Sequence, residues 1–399
     1  MDEGTFFTGQ PVFNQLLNLI PRSIISKLTK KHKSDHYYKK FKSYDHLVTM
    51  LYATFHGCKS LREVTTGMMA CTTRLNHLGI NYMPRRSTLA EANCNRTEGF
   101  FADLYQDLYS HFYPDSRMDK SIDHRLFIFD STTIELFSEI MQGVGKKPVN
   151  GKRKGGIKAH VLIKADEDVP RLVHLTPARK NDTFFADHIH LPKGSIVVYD
   201  RGYVTYTLMN KWTKQGVTGV TRLRVAWMHQ IVSSNKVSKQ EKKKGIISDE
   251  LILLGGKPVK QKIPARKIVY VDKKSDKKLT FITNNTRMKA STIAGIYKRR
   301  WQIECLFKRL KQNYPLKYFL GDSENAIKIQ IWCSLITDIL IKAIKDKVKR
   351  KWSFSNIASM IRLHLMTYIN LITFLQAPEK VLRLYCNPIH EKNLQLFPT

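Results

Sequence analysis

The sequence predicts an α/β core that carries a β-rich insertion and is flanked by helical N-terminal and C-terminal regions. Three observations predict it. Short apolar runs near 126–129, 157–163, 171–175, 195–199 and 217–220 have the length and composition of buried strands, and helical stretches lie among them. A basic, strand-rich segment covers 222–287. Helical apolar spacing dominates before 115 and after 288. The expected divisions are therefore 1–115, 116–221, 222–287, 288–345 and 346–399.

In the first division, residues 44–55 have helical spacing and stop at Gly57. Ser60-Leu61-Arg62-Glu63 and Thr88-Leu89-Ala90-Glu91 read as capping boxes that start two further helices. The pair Arg85-Arg86 stands at the lip of the second. Short capped helices with paired arginines suit a DNA-binding module or an ordinary helical subdomain with solvated charges.

The core begins with the apolar run Leu126-Phe127-Ile128-Phe129, which ends at Asp130. Strands at 157–163 and 171–175 follow, joined by the turn Asp166-Glu167-Asp168. Between the first two strands lies a Lys- and Gly-rich loop with Lys146, Lys147, Lys152, Arg153 and Lys154, either a grip on a phosphate backbone or a hairpin tip. A short helix at 183–189 precedes the strand 195–199, which ends at Asp200. A helix at 206–214 and a strand at 217–220 complete the series. Three strands, helix, strand, helix, strand and then a carboxylate-bearing helix is the order of an RNase H-like core. In the insertion, 251–254, 267–271 and 279–283 are strand candidates, and Glu241-Lys242-Lys243-Lys244 is a charge run. Trp227, among Arg222, Arg224 and His229, reads as a core or edge ring in preference to one that stacks on an unpaired base.

Residues 291–312 read as one helix, with Ser291 or Thr292 as its cap and Asn313 and Pro315 at its end. Ile296, Ile303, Leu306, Phe307 and Leu310 form its apolar stripe. Tyr297, Arg300, Glu304 and Lys311 fall within roughly 60° of one another around such a helix. A carboxylate aligned with a phenol, a guanidinium and an ammonium suits a place where metal meets phosphate; a solvated face with an i, i+4 ion pair is the alternative. Trp301 lies just beyond this face and reads as a packing residue. Helices at 325–345 and 356–375 complete the chain.

Composition bounds the partners. The 67 Lys and Arg against 33 Asp and Glu leave +34 on 399 residues, spread along the whole chain. Self-repulsion on that scale implies a polyanionic partner: nucleic acid first, an anionic membrane surface second. The apolar runs near 331–344 and 366–375 carry Asp338 and Asn370 and fall short of the ~20 residues a membrane span needs. Met1-Asp2-Glu3-Gly4 offers neither a basic nor an apolar leader region, so no signal peptide is expected. The 6 cysteines form no C-x-x-C or zinc-finger spacing, which points to reduced thiols in a cytosolic protein.

The spacing Tyr297-(2)-Arg300-(3)-Glu304-(6)-Lys311 resembles the signature of DDE transposases of the YREK-bearing insertion-sequence family, the IS-four family. The blocks Phe127-Ile128-Phe129-Asp130-Ser131-Thr132 and Val197-Val198-Tyr199-Asp200-Arg201-Gly202-Tyr203 resemble that family too, in its order. The likeness is close over about 120–345 and looser before it. It implies a cut-and-paste transposase with a DNA-binding N-terminal region and a catalytic core divided by the insertion. Asp130, Asp200 and Glu304 would be the catalytic acids and would hold two Mg²⁺ ions, with Mn²⁺ able to substitute. Such a pair, about 3.5–4 Å apart, neutralises the attacking and leaving oxygens of an in-line displacement. Tyr297, Arg300 and Lys311 would hold DNA near the cut. Terminal inverted repeats and target DNA would be the partners, a homodimer the synaptic form, a DNA hairpin the intermediate and the nucleoid of a prokaryotic cytoplasm the location. Asp123, Asp182 and Glu135 read as surface acids or caps. A DNA-binding protein without chemistry, or a stand-alone nuclease with the same acids, is the rival reading.

Overall fold

The computed structural model describes residues 9–80, 82–114, 121–135, 155–224, 226–255 and 262–380. The basic side chains of the loop at 146–154 lie outside these residues. The chain forms two compact units, residues 1–112 with 309–399, and residues 113–308.

The first unit is helical among its described residues. It opens with α1 (Val12–Leu17), α2 (Arg22–Lys31), α3 (Ser43–His56), α4 (Leu61–Ala70), α5 (Thr72–Leu75), α6 (Arg86–Asn95) and α7 (Gly99–Phe112). Gly57 ends α3 in the left-handed conformation, φ 73°, which a glycine adopts without strain. Ser60 caps α4 by accepting from the Glu63 N–H, while the Glu63 carboxylate reaches back to Lys59 N–H in place of Ser60. The second expected box is not a cap. Helix α6 starts at Arg86, after Pro84 and an extended Arg85, so Thr88 to Glu91 already lie within its turns.

The second unit is built on one sheet. Helix α8 (Ile122–Arg125) leads into β1 (Leu126–Glu135), followed by β2 (Gly156–Lys164), β3 (Pro170–Pro177), α9 (Thr183–His188), β4 (Ile196–Tyr199), α10 (Tyr206–Lys214) and β5 (Thr218–Arg222). The insertion supplies β6 (His229–Ser234), α11 (Lys239–Lys243), β7 (Ile246–Leu254), β8 (Ile263–Asp272) and β9 (Lys277–Thr283). Strand order is β3-β2-β1-β4-β5-β9-β8-β7-β6. The pairs β1–β2 and β2–β3 are antiparallel, β1–β4 and β4–β5 parallel, and β5–β9 antiparallel. The insertion thus continues the core sheet. Strand β6 had no sequence signal: five of its six residues are exposed, so no apolar alternation marks it.

Phe127 and Phe129 of β1 and Val197 and Tyr199 of β4 point into a core with Phe185 and Ala186 of α9 and Leu208, Met209 and Trp212 of α10. By the period of two, Ile128 and Asp130 point to the opposite face.

The expected helix at 291–312 is two helices, α12 (Ala290–Lys298) and α13 (Trp301–Asn313). Arg299 and Arg300 form a tight turn between them. Arg299 N–H donates to Ile296 O and Arg300 N–H to Tyr297 O, both at 3.0 Å, the shorter i to i−3 pattern. Asp123 takes the Arg299 side chain, while Asp130 and Glu304 take that of Arg300. The cap also differs. Ser291 N–H and Oγ both donate to Glu241 of α11, so the insertion caps α12.

The first unit resumes within α13, at Arg309, and continues with α14 (Glu324–Lys347), α15 (Phe354–His364) and α16 (Leu371–Gln376). Helix α14 packs against α3 and α7 and is buried almost all round. The helix expected at 356–375 breaks after His364, where Thr367 bonds back to His364 O and Asn370 caps α16. No helix among the described residues is long and apolar enough to cross a membrane.

Candidate active site

Asp130 sits inside β1, which continues to Glu135, and not at its end as expected. Phe129 pairs with Tyr199 across β1 and β4, so Asp130 and Asp200 each follow one member of the same pair. The Phe129 ring stacks on Tyr199 with centroids 5.0 Å apart and meets Tyr203 edge-on at 4.9 Å. This aromatic stack fixes the floor beneath both acids. Asp200 caps a 3-10 turn, Arg201–Tyr203, accepting from Gly202 N–H at 3.3 Å. Arg224 secures that turn from the insertion, donating to Arg201 O and Gly202 O at 2.8 and 2.7 Å.

Glu304 lies in the first turn of α13. The Arg300 guanidinium joins it to the sheet, donating through Nη1 to Asp130 Oδ2 at 3.0 Å and through Nη2 to Glu304 Oε1. Burial pushes the Asp130 carboxyl up to about 6. Ser131 N–H, at 2.8 Å from Oδ1, and Arg300 oppose that rise, while the charges of Asp200 and Glu304 add to it. Asp200 and Glu304 are therefore both within electrostatic reach of Asp130. Burial opposes the charge on Arg300, but Tyr297, Glu304 and Asp130 outweigh it and raise its pKa.

Tyr297 lies in the last turn of α12 with its ring buried, 4.8 Å from that of Phe281. Burial raises its phenol, Arg300 lowers it and Asp200 raises it, so the hydroxyl belongs to the same electrostatic group. Lys311 is exposed in the last turn of α13. The turn at Arg299-Arg300 means that the four residues of the expected helix face do not share one unbroken helix. Trp301 is no packing residue: it is 64% exposed. Trp227 is half-buried, stacked on Tyr206 at 4.2 Å and 10°, a packing role.

Among the described residues, no three His, Cys, Asp or Glu side chains form a ready set of metal ligands. Asp130, Asp200 and Glu304 nonetheless fit a hard divalent cation in kind: all their donors are carboxylate oxygens, and the charges of the other two both burden Asp130. In this structure Arg300 supplies the positive charge between two of them.

Residues 121–337 match the family described as Transposase DDE domain, more than half of the chain. The chain belongs to the DDE transposases. Residues 8–81 of this transposase also match a domain of unknown function that marks the N-terminal region of the IS4 type. A protein of Sinorhizobium fredii named as a transposase, y4zB, is 30% identical over 261 residues, 65% of this transposase and 71% of the relative. A Synechocystis protein named as the transposase of insertion sequence element IS4SA is 24% identical over 294 residues, 71% of this chain and 78% of its own. The cryo-EM structure of a piggyBac transposase synaptic complex with hairpin DNA aligns at TM-score 0.44 and 11% identity, over 95% of this chain and 81% of that one.

Sequence reading took Asp182 of this transposase for a surface acid or cap and missed its bonds to Ser131 and Lys158. Asp182 stands at the N-cap position of α9 without making a cap bond; it accepts from Lys158 Nζ at 2.8 Å and from Ser131 Oγ at 2.9 Å. The available signal was Lys158 itself, a charge inside the apolar run Ile157-Lys158-Ala159, which needs a partner when buried.

Proposed function

We propose that this transposase moves its element by cut and paste. It binds terminal inverted repeats, cuts them by phosphodiester hydrolysis, releases the element through a DNA hairpin and joins the 3′-OH ends to target DNA. The observation that carries the reading is the convergence on Arg300 of Asp130 from β1 and Glu304 from α13, with Asp200 in electrostatic reach. The first part of the core, 116–221, is RNase H-like in this reading. Its order β3-β2-β1-β4-β5, with parallel pairing at β1–β4–β5, supports that.

Asp130, Asp200 and Glu304 would hold two Mg²⁺ ions, or Mn²⁺ in their place, which supply positive charge at the attacking and leaving oxygens when bound. Asp130, which feels the charge of both other acids, would be the ligand common to the set. Arg300 would fork onto a phosphate, its paired donors matching two phosphate oxygens. Tyr297 and Lys311 hold the same strand, and two copies of the chain act in the synaptic complex. The helical segment at 1–115 reads the DNA ends, and the protein works at the nucleoid of a prokaryotic cytoplasm. The net charge of +34 supports a DNA partner.

The test is incubation with Mg²⁺ and DNA carrying the repeats that flank the gene. Hairpin-ended and joined products are expected. Nicked DNA alone, however long the incubation, would reduce the protein to a nuclease.

A further inference from the structure

A chain of polar contacts runs through the sheet beside Asp130, from buried Lys158 to half-buried Asp182 and Ser131. Lys158 of β2 is buried, and its Nζ donates to Asp182 Oδ1 at 2.8 Å and to Lys180 O at 2.9 Å. The same Oδ1 accepts from Ser131 Oγ at 2.9 Å. Ser131 follows Asp130 in β1, and its N–H donates to Asp130 Oδ1 at 2.8 Å. One residue thus joins the two faces of the sheet: the Ser131 hydroxyl is held on the α9 face and its backbone amide holds the carboxylate on the other.

The surroundings make the chain rigid. Ser131 is opposite His160 in the β1–β2 ladder. The His160 ring stacks on Phe185 at 5.4 Å, donates to or accepts from Thr176 Oγ1 at 2.9 Å, and leaves Nδ1 at 3.9 Å from Asp182. A buried ammonium has to keep its carboxylate, because the unpaired charge is far costlier than the pair. Asp182 therefore cannot leave Lys158, and Ser131 has a fixed acceptor. Burial raises the Asp182 carboxyl, but the Lys158 and Ser131 bonds outweigh it and hold its pKa low, so it stays an ionised acceptor.

We propose that Asp182, fixed by Lys158, is a positioning residue that acts through Ser131 to orient the Asp130 carboxylate for metal. The proposal rests on the reading of Asp130 as a metal ligand. Partners of ligating carboxylates change metal affinity by about 10–100-fold when removed.

The experiment measures Mn²⁺ binding to the full chain without DNA, by the electron paramagnetic resonance signal of free Mn²⁺, with melting temperatures alongside. Ser131→Ala, which leaves the Lys158–Asp182 pair intact, and Asp182→Asn are each expected to raise the Mn²⁺ Kd about tenfold or more. Ser131→Thr is expected to bind as the wild type does. Should Asp182→Asn not fold, Ser131→Ala carries the test. A lower melting temperature with an unchanged Kd in Ser131→Ala would make the chain a structural tie only and overturn the proposal. Asp130→Asn is the control: if it binds Mn²⁺ as the wild type does, the metal-site reading itself fails, and this inference with it.

Discussion

Burial makes the ionised form of Asp130 costly. Its carboxyl is pushed up to about 6 by burial first, with Asp200 and Glu304 adding to the push. The folded chain therefore binds that proton more tightly than the unfolded chain, whose carboxyl has the ordinary value near 3.9. Stability from this group is fully present below about pH 4 and is lost as pH rises through about 6. Asp130→Asn should thus melt at a higher temperature than the wild type at pH 7 without divalent metal, and that advantage should fade as pH falls toward 4. Parallel thermal melts at pH 4 and pH 7 check this; an advantage that grew at low pH would reverse the sign of the argument. The proposed acids Asp130, Asp200 and Glu304 come from the resemblance of their blocks to the family, two of them after apolar runs and one among cations on a helix. Asp182 could not be read that way, because its partners Lys158 and Ser131 are 24 and 51 residues away and only the folded sheet unites them.

At the scale of elements, the turn between α12 and α13 matters most. Helical spacing predicts one helix at 291–312, and neither a proline nor a glycine stands at the break. Long-range partners make it: Asp123 draws Arg299, and Asp130 draws Arg300. Local periodicity carries no record of such contacts. The strands around Asp130 and Asp200 were legible because their apolar runs are buried on both faces. Edge strand β6 was not, being polar and exposed. The turn also puts Arg300 among the acids, ahead of the helix that bears Lys311. We expect Arg300→Ala and Lys311→Ala to nick repeat-end DNA but to accumulate nicked DNA, with little hairpin or joined product. Loss of one charged phosphate contact costs about 1.5–3 kcal/mol, roughly one to two decades in rate if the contact forms only in the transition state. Arg300→Lys should rescue poorly, since an ammonium offers no fork. A time course on intact and pre-nicked DNA decides: equal slowing of every step would leave both residues as general binding groups.

Across the whole molecule, charge and architecture point to a long polyanion. The excess of +34 belongs to no single tail, and the insertion that carries Glu241-Lys242-Lys243-Lys244 is continuous with the core sheet. Log affinity for duplex DNA should fall linearly with log salt, by about 0.9 for each phosphate neutralised. Binding that barely changed between low and physiological salt would remove the polyanion argument. If Asp130, Asp200 and Glu304, from separate elements, form one metal-dependent site, nicking of repeat-end DNA in Mg²⁺ by Asp130→Ala, Asp200→Ala and Glu304→Ala, with DNA binding measured on the same preparations, reads it out. Each variant should bind the repeat nearly as the wild type does and nick it not at all; a folded variant that kept more than about a tenth of wild-type nicking, a loss of less than about 1.4 kcal/mol in barrier reduction, would remove that residue from the site.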